Sequence, residues 1–430
     1  MTNGGGGKTE REYALELQAN LLTAETLKDP SLDPDLSSES GTIDDFRPRQ
    51  QPLLPEPVES SMVLSYSPFA SDATLQALKE GDRRVLVIGD PPAAVMKVAR
   101  AYGFRKAVHI NDYCRHYPSL NPFQQRPPPP SWDISEIDDE AETAGSICGG
   151  GGSGDDAEEE PFHAICVFTD PLDFFGALQV ATDVLLSSRP AGKGAVEVEA
   201  ARLPSNAAAP SSDLEGAGGN GSPVPLFFSN PDLLWKTQHP FPRFGQGAFR
   251  ASLEAVYKER LRALHLLPPR DADNGDAERS FLRNWRQYGK PEVAQFQVAE
   301  RAIEEQLRKR AVTAEGGSSG EVYVSHYYMV GDNPASDMAG ARNINAWKEK
   351  QMAQPKHDAS RQHQQGGGVG WTGVLVCTGV YNGGIPTKNC SDDSWRANAD
   401  RDITMGARLI VEDVVEAVDT ILEENGLHFR

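Results

Sequence analysis

Short apolar runs recur along the chain, and a segment with helical periodicity follows almost every one of them. Val85–Gly89, for example, precedes a stretch from Pro92 to Phe104 in which apolar residues return at helical spacing. Strands that alternate with helices build parallel sheets, so the sequence predicts an α/β fold. The other apolar runs are Ala164–Phe168, Val224–Ser229, Val322–Gly331 and Thr372–Gly379, and residues 408–424 have the pattern of a strand end followed by a helix.

Four segments between these units contain too few apolar residues to contribute to a core. They are rich in Pro, Gly, Ser, Gln or acidic residues, and such compositions bury too little apolar surface to offset the entropy of ordering. His357 and His363 in the last segment could bind a metal, but a solvated Gln/His tract is the simpler explanation. We therefore predict surface insertions, mostly disordered, at residues 29–60, 121–160, 190–222 and 354–368.

The formal net charge of −20 limits the possible partners. Much of it comes from residues 132–160, which contain many acidic residues and no Lys or Arg. A chain of this charge is not expected to bind nucleic acid through phosphate contacts. No apolar run approaches the ~20 residues of a membrane-spanning helix, and the N-terminal residues lack the apolar core of a signal peptide.

The five cysteines show neither CxxC nor zinc-type spacing. A scattered, odd set of this kind indicates reduced thiols inside a cell. Cys166 and Cys377 lie in apolar runs, and we predict that both are core residues, because free cysteine usually packs as a small apolar side chain.

The segment Met329–Ala341 carries the strongest local signal. An apolar strand ends at Gly331, Asp332 stands just past its carboxyl end, and Asp337 follows where a helix should start. Parallel α/β sheets bind ligands at this edge, and two carboxylates there suit a hard cation such as Mg²⁺. Asp332 and Asp337 are therefore predicted metal ligands. The alternative is that Asp332 is a turn residue and that Ser336 or Asp337 only caps the helix.

A lysine further upstream could bind a phosphate. Lys290 lies between Gly289 and Pro291, so it cannot be inside a helix and is predicted on a tight turn just before one. From such a turn its ammonium group can neutralise a phosphoryl oxygen. The alternative is an exposed lysine without such a role.

The N-terminal segment Thr2–Thr9 is rich in glycine. The Thr2 hydroxyl and the amides around Asn3 and Gly4 could cradle a phosphate at the start of a helix. The segment also resembles a nucleotide-binding P-loop ending in Lys8, but that motif has glycine where Thr2 stands. A P-loop would make ATP binding depend on Lys8.

A strand-like run ends in Asn230–Asp232 (Asn-Pro-Asp), and a Gly-bounded turn at residues 245–247 then opens a helix. Asn230 and Asp232 could face a substrate, or the three residues could simply be good turn formers. The residues alone leave both possibilities open.

Taken together and in this order, the motifs resemble the haloacid dehalogenase superfamily, subfamily IIA, and within it the cat-eye-syndrome critical region type of hydrolase-domain protein. The resemblance covers both ends and the middle of the chain and leaves out only the insertions. It is carried by residues 2–6 (TNGGG), 67–69 (SPF), 84–89 (RVLVIG), 101–104 (AYGF), 228–235 (FSNPDLLW), 242–249 (PRFGQGAF), 288–291 (YGKP) and 329–341 (MVGDNPASDMAGA).

The resemblance implies a Rossmann-like core with an inserted α/β cap domain of the C2 type. The core would comprise residues 1–65 and 281–430, and the cap would comprise residues 66–280. The resemblance also implies Mg²⁺-dependent hydrolysis of a small phosphate ester through an aspartyl-phosphate. Members of this family are often mitochondrial, so a mitochondrial location is expected rather than a cytoplasmic one.

The same resemblance gives roles to the residues that the motifs single out. Thr2 would hold the transferring phosphoryl group, and Lys290 would neutralise charge on the nucleophile and on the phosphate. Asp332 would bind Mg²⁺, with Asp337 as a supporting acid. The cap residues that would face the active site are Asn230 and Asp232.

One motif of the family is missing. DxDG supplies the nucleophilic Asp, an acid/base Asp and a backbone carbonyl for Mg²⁺, and it occurs nowhere in the sequence. Covalent phosphoryl transfer requires that carboxylate, because Mg²⁺ and lysine only stabilise charge. We therefore expect a core that lacks its first strand. Either Met1 is an internal methionine of a longer protein, or the chain is a catalytically inactive phosphate-binding or scaffold protein.

Overall fold

The structure is a computed structural model, and it confirms the α/β class: two parallel sheets are flanked by helices. No helix in the part of the chain that it describes is long and apolar enough to cross a membrane. The predicted insertions lie outside that part except at the margins of the second one, and so do Thr2, Asn3, Gly4, His357 and His363. The described residues are 6–17, 62–122, 160–186, 224–235, 239, 241, 243–263, 284–314, 323–353, 369–378, 380–381 and 406–427.

In the described part of the chain before residue 290 the strands are β1 (Val85–Ile88), β2 (Ala107–His109), β3 (Ala164–Val167), β4 (Leu226–Phe228), β5 (Leu234–Trp235), β6 (Arg243–Phe244) and β7 (Trp285–Gln287). Strands β5 and β6 form an antiparallel ribbon. The other five build one parallel sheet in the order β2-β1-β3-β4-β7. The order reverses at β1, and sheets of this kind bind ligands outside the carboxyl ends of their strands.

Helices cover both faces of this larger sheet: α1 (residues 10–17), α2 (Ala73–Glu80), α3 (Pro92–Ala101), α4 (Ile110–His116), α5 (Phe174–Leu186) and α6 (Gln246–Ala263). Successive side chains of a strand point to opposite faces. Leu86 and Ile88 of β1 therefore pack into a core with α4, α5 and α6, whereas Val85 and Val87 pack into a core with α2 and α3. Each face of the sheet has its own apolar core.

A smaller sheet follows, with β8 (Tyr327–Gly331), β9 (Trp371–Val376), β10 (Leu409–Val411) and the helices α7 (Val293–Ala314), α8 (Ala339–Ala353) and α9 (Val414–Glu424). Its strands are parallel in the order β10-β9-β8. Within the described residues β8 pairs with β9 only. Met329 and Leu375 face α7 and α8, whereas Val374 and Val376 face Ala417 of α9.

The chain passes from the larger sheet to the smaller one between β7 and α7. Helix α7 packs so closely on α8 that a Cβ at Gly340 would lie 2.2 Å from the ring of Phe296. Residues 285–287, which the resemblance places in the core, pair with β4, which it places in the cap. Glu12, also placed in the core, forms an ion pair with Lys97 of α3, placed in the cap. The domain boundaries inferred from the resemblance stay predictions.

The two cysteines predicted to lie in the core differ in burial. Cys166 is fully buried in β3, and burial raises the pKa of its thiol, which keeps it protonated. Cys377 is half-buried against the core of the smaller sheet. Both are free thiols, as the sequence predicts.

Candidate active site

Lys290 lies at the carboxyl end of β7, next to the turn that follows β4. The two strands pair in parallel with Phe228 opposite Gln287, and the Tyr288 amide donates to the Phe228 carbonyl at 2.8 Å. The ladder ends there, because the Asn230 amide donates to Gln246 Oε1 rather than to the Tyr288 carbonyl. The motifs around Asn230 and Lys290 therefore follow neighbouring strands at the same edge of the sheet.

Glycine makes the turn before Lys290 possible. Gly289 has a φ of 83°, in the left-handed region that side chains disfavour. Helix α7 begins shortly afterwards, at Val293. Lys290 is thus displayed on a tight turn just before a helix, which confirms the prediction from its flanking residues.

Asp72 anchors the end of β7, and the sequence analysis does not single it out. Its Oδ2 accepts from Arg286 Nη1 and from the Tyr288 hydroxyl, both at 2.5 Å. Its Oδ1 accepts from the Leu75 amide at the start of α2 at 3.0 Å. Burial raises the pKa of Tyr288, so the hydroxyl stays protonated and can donate. Through Arg286 and Tyr288, Asp72 therefore holds the end of β7 in place just before the turn that carries Lys290.

Lys290 reaches the smaller sheet and forms a buried ion pair with Asp337. The Nζ–Oδ1 distance is 2.5 Å, and the two residues are 9% and 2% exposed. The other carboxylate oxygen, Oδ2, accepts from the Asn333 amide at 3.1 Å. Removal of one partner leaves the other charge buried without compensation, which typically costs about 3–5 kcal/mol. The pair therefore fixes the positions of both charges.

The last residue of β8 must be small for this pair to form. A Cβ at Gly331 would lie 2.3 Å from Oδ2 of Asp337. The Asp337 side chain sits in a π-helical turn, Pro334–Met338, that opens α8. Glycine at the strand end thus lets the carboxylate fold back against the backbone.

Asp332 lies one residue beyond β8, at the carboxyl edge of the smaller sheet, as predicted. Its Oδ2 accepts from the Val380 amide at 2.6 Å, and its carbonyl accepts from the Tyr381 amide at 2.9 Å. The loop after β9 therefore holds this residue. Among the described residues no donor hydrogen-bonds its Oδ1.

The residues present fit Mg²⁺ only as part of a larger ligand set. Mg²⁺ usually binds one or two carboxylates and keeps several waters, and Oδ1 of Asp332 could serve as one such ligand. Both oxygens of Asp337 are engaged, by Lys290 and by Asn333. The described part of the chain contains no group of three or more His, Cys, Asp or Glu side chains that could hold a metal ion.

The turn after β4 joins the two remaining sequence motifs into one unit. Asn230 Oδ1 accepts from the Asp232 amide at 2.8 Å, which is the local bond that makes Asn a good turn former. The Gly247 amide donates to the Asp232 carbonyl at 2.9 Å, and a Cβ on Gly247 would lie 2.3 Å from the Pro231 carbonyl oxygen. The turn-forming role is present, and a role in facing a substrate stays a prediction.

Gln246 ties this turn to the sheet, and sequence reasoning missed it. The residue is fully buried. Its Oε1 accepts from the Asn230 amide at 2.8 Å, and its Nε2 donates to the Ser229 hydroxyl at 3.1 Å. A polar residue between two glycines at the start of a helix is the signal that could have found it.

Asp170 adds a carboxylate to the same edge, just after β3. Burial raises its pKa, although a hydrogen bond from the Gln246 backbone opposes the rise. The side chain thus meets the N-terminus of α6, where negative charge is favoured. An acid followed by proline directly after an apolar strand is the pattern that could have indicated this residue.

Lys8 and Thr9, the end of the P-loop-like segment, serve a local role. The Thr9 amide donates to Glu12 Oε2 at 2.8 Å, and the Glu12 amide donates to Thr9 Oγ1 at 3.3 Å. This reciprocal pattern is a capping box at the start of α1. Lys8 pairs with Glu16. The residues predicted to bind phosphate in this segment lie outside the described part.

No family model matches the chain. Several curated proteins are similar to it. A protein of Saccharomyces cerevisiae named mitochondrial hydrolase YKR070W is 27% identical over 375 residues, which is 84% of this chain and 77% of the relative. A Schizosaccharomyces pombe protein named cardiolipin synthase (CMP-forming) / mitochondrial hydrolase fusion protein is 25% identical over 345 residues, which is 78% of this chain and 41% of the relative.

Among solved structures, a possible sugar phosphatase of the HAD superfamily from Cytophaga hutchinsonii matches with a TM-score of 0.34 and 11% identity, over 98% of this chain and 76% of that protein. The chain's own parallel sheets confirm the predicted α/β class. The names of the relatives agree with the resemblance to haloacid-dehalogenase-like hydrolases that the motifs indicate.

Proposed function

We propose that the chain forms the phosphate- and magnesium-binding part of a haloacid-dehalogenase-type hydrolase of subfamily IIA. The observation that carries the proposal is the position of Lys290, which follows the carboxyl end of β7 in the larger sheet and forms a buried ion pair with Asp337, just after the carboxyl end of β8 in the smaller sheet. A fixed cation at the carboxyl ends of parallel strands is suited to a phosphoryl group. The hydrolase names of the yeast relatives support the reaction type.

In this proposal Lys290 neutralises charge on a phosphoryl oxygen, and Asp337 holds its ammonium group in place. Asp332 offers Oδ1 to Mg²⁺, with Asp337 as a supporting acid. Magnesium, when bound, stabilises the charge that develops on the transferring phosphate. The residues assigned to the remaining phosphate oxygens are Thr2, Asn3 and Gly4.

The substrate is a small phosphate ester, and Asn230 and Asp232 face it from a cap formed by residues 66–280. The covalent step requires the carboxylate of a DxDG motif, which the 430 residues do not contain. The hydrolase proposal therefore needs a nucleophile that this sequence does not supply. Because the two yeast relatives are named mitochondrial, we extend that location to this chain.

A second candidate is a phosphate-binding protein without catalytic activity. The lack of DxDG in the sequence favours it, because Lys290 and Asp332 can bind an anion and a cation but cannot attack phosphorus. Both candidates predict phosphate binding at Lys290. Only the hydrolase predicts turnover once a nucleophile is present.

Isothermal titration calorimetry with inorganic phosphate, with and without Mg²⁺, tests the site itself. We expect Mg²⁺ to tighten phosphate binding and Asp332→Ala to abolish this tightening. The matched control is Asp419→Ala on the exposed face of α9, which should leave it unchanged. A Mg²⁺ effect that survives in Asp332→Ala would contradict the metal assignment.

Addition of a DxDG-bearing strand from a relative separates the two candidates. The extended protein should hydrolyse p-nitrophenyl phosphate in a Mg²⁺-dependent reaction, and Lys290→Gln should lower its kcat/KM by at least about a hundredfold. If phosphate binds but no turnover appears, the non-catalytic candidate replaces the hydrolase.

A further inference from the structure

The larger sheet has a crevice between the carboxyl ends of β1 and β3. The two strands pair in parallel, with Ile88 opposite Val167. After β1 the chain continues into α3 on one face of the sheet, and after β3 it continues into α5 on the other face. Sheets of this kind bind ligands where neighbouring strands lead to opposite faces. In the sheet order, β4 separates this point from β7, which precedes Lys290.

Polar side chains from three loops line the crevice. They follow β1, β2 and β3 in the chain, so residues that are far apart in the sequence meet at one edge of the sheet. The space between the lining atoms admits one group about the size of a water molecule. We name this space the switch-point crevice, and its polar walls are formed by Asp90, Asn111, Asn121 and Asp173.

Hydrogen bonds between the loops hold these walls in place. The Leu172 amide donates to Asp90 Oδ2 at 2.7 Å. Asp173 Oδ2 accepts from Asn121 Nδ2 at 2.9 Å, and its Oδ1 accepts from the Gly176 amide at 2.9 Å. Glycine is required at position 176, since a Cβ there would lie 2.2 Å from Asn121 Nδ2. The switch-point crevice therefore has fixed walls.

The crevice also contains hydrogen-bond acceptors that the protein itself does not use. Among the described residues no donor hydrogen-bonds Oδ1 of Asp90 or Oδ1 of Asn121, and the side-chain amide of Asn111 forms no hydrogen bond. Asn121 is only 7% exposed. Buried polar groups are as a rule hydrogen-bonded. The three side chains are therefore suited to a ligand that donates hydrogen bonds.

The charge of the crevice determines which donor fits. Asp90 and Asp173 contribute two carboxylates, and the described residues that line the crevice include no Lys, Arg or His. Burial raises the pKa of the Cys114 thiol to about 11, and the charge of Asp173 adds to the rise, so this thiol stays neutral. Like charges repel, and a cation between them offsets the repulsion. The lining therefore favours a cation and disfavours an anion.

A primary ammonium group matches the walls better than a metal ion does. It carries three N–H donors and no acceptor, and the side chains with unused acceptors are Asp90, Asn111 and Asn121. Ca²⁺ takes about six to eight oxygen ligands, and Mg²⁺ keeps several waters, for which the space is too small. Ile110 and Ala177 also line the crevice, and they can contact the carbon atom that carries the ammonium group.

We propose that the switch-point crevice binds the primary ammonium group of a small organic amine. The ammonium group donates to Asp90 Oδ1, Asn121 Oδ1 and the Asn111 side chain. A water molecule would fill the same space, but it has only two donors and leaves the charges of the two carboxylates uncompensated. The inference is independent of phosphate binding at Lys290.

Isothermal titration calorimetry with n-propylammonium chloride and with n-propanol, at constant ionic strength in an amine-free buffer, tests the inference. The two ligands have the same chain length and differ in the head group. Hydrogen bonds from a charged donor are roughly twice as strong as neutral ones, so we expect the amine to bind at least about tenfold more tightly than the alcohol. Potassium chloride serves as the third ligand and should bind more weakly than the amine.

Asp90→Asn locates the effect. The substitution keeps the shape of the side chain and an oxygen for the Leu172 amide, and it removes the charge. We expect the Kd for propylammonium to rise at least about tenfold. Asp112→Asn is the matched control, because Asp112 pairs with Arg115 on the surface of α4 and does not line the crevice. It should change the Kd by less than about twofold, since exposed charges are screened by salt.

A second variant, Asn111→Ala, keeps the test valid if Asp90→Asn is unstable. The Asn111 side chain forms no hydrogen bond with the described residues and is partly exposed, so its removal should not disturb the fold. We expect it to weaken propylammonium binding by roughly threefold or more, because one hydrogen bond to a charged group is lost.

Equal Kd values for the amine and the alcohol, or no binding of the amine, would overturn the inference. Equal losses in Asp90→Asn and Asp112→Asn would also overturn it, since the effect would then report the net charge of the protein. Tighter binding of potassium than of the amine would assign the crevice to a metal ion instead. Inorganic phosphate, titrated separately, tests the proposed function: loss of phosphate binding with the amine still bound would overturn that function alone.

Discussion

The two sheets differ in how completely helices cover them. In the larger sheet β1, β3 and β4 are buried at every residue. In the smaller sheet only β9 is buried at every residue, β8 includes half-buried residues, and β10 is half-buried throughout, as is the edge strand β7 of the larger sheet. Helix α9 buries Ala417 but leaves Val414, Val415 and Val418 exposed. Apolar burial, which supplies most of the stability of a fold, is therefore unequal between the two sheets.

The candidate site takes one half from each sheet. Lys290 emerges from the well-covered sheet, and Asp72 anchors its strand. Asp332 and Asp337 belong to the sheet with less apolar burial. The ion pair between Lys290 and Asp337 couples the two regions.

Truncation of the larger core should have the greatest effect. The Phe168 ring is 1% exposed and packs against Tyr66, Phe69 and Phe104. Phe168→Ala should lower the free energy of unfolding, measured by urea denaturation, by about 3–5 kcal/mol. Val415→Ala on exposed α9 should change it by less than about 0.5 kcal/mol. Similar losses in both variants would end the contrast between the sheets.

The second-largest loss of stability is expected from breaking the ion pair between Lys290 and Asp337, which joins the two sheets. Asp337→Ala leaves the Lys290 charge buried without its partner, and we expect a loss of about 3 kcal/mol in urea denaturation. The double variant Lys290→Met with Asp337→Leu should recover most of that loss, since no unpaired charge remains. If the single substitution costs less than about 1 kcal/mol, water reaches the pair and the coupling is weak.

A smaller effect is expected at the end of β8. Gly331→Ala places a methyl group against the Asp337 carboxylate, and such overpacking typically costs about 1–3 kcal/mol. Gly370→Ala is the matched control in the same sheet, because its Cβ would find ordinary contact distances to Asn345 and His326. Thermal unfolding of the two variants should differ by several degrees. Equal melting temperatures would show that the strand end adapts easily.

The smallest expected effect comes from the protonation of two histidines, His109 in β2 of the larger sheet and His326 directly before β8 of the smaller sheet. His109 is 1% exposed, its Nε2 donates to the Gly89 carbonyl at 2.8 Å, and burial lowers its pKa. His326 is half-buried, and its pKa is lowered by burial and then by Arg408. In both cases the unfolded chain binds the proton more readily. The stabilisation is therefore complete above about pH 6.5 and is lost as the pH falls below that value.

The free energy of unfolding at pH 7.5 and pH 5.5, from urea denaturation, measures this effect. One such group contributes at most about 1.4 kcal/mol per pH unit. His109→Gln should flatten the loss at low pH more than His326→Gln does, because the larger sheet buries its histidine more completely. A greater effect at His326 would reverse the comparison.

Long apolar runs predict the strands that are buried on both faces, because such strands need apolar side chains at successive positions. Strands β1, β3, β4 and β9 belong to this group. The apolar run that ends at Gly331 also predicts β8, although several residues of β8 are only half-buried. The short strands Ala107–His109 and Trp285–Gln287 carry no such pattern. They are strands because β1 and β4 offer them an edge to pair with.

The residues of the candidate site divide in the same way, into those that a local sequence pattern predicts and those that depend on tertiary contacts. Lys290 and Asp332 could be predicted because a strand or turn pattern adjoins each of them in the sequence. Asp72 could not, since its partner Arg286 is 214 residues away. Gln246 likewise acts on Asn230 and Ser229 through the tertiary fold. Local patterns therefore identify residues displayed at strand ends, and they do not identify the side chains that hold those ends in place.

The ribbon beside the candidate site is closed at its base by backbone bonds. The Gly245 amide donates to the Leu233 carbonyl and the Gly247 amide donates to the Asp232 carbonyl, both at 2.9 Å. With these anchor points fixed, a longer or shorter loop between them costs only a slowly growing closure entropy. The segment between Leu233 and Gly245 can therefore be replaced by segments of other lengths and sequences, in natural divergence or in a designed library. New chemistry would enter there while the sheet and the buried lysine stay as they are.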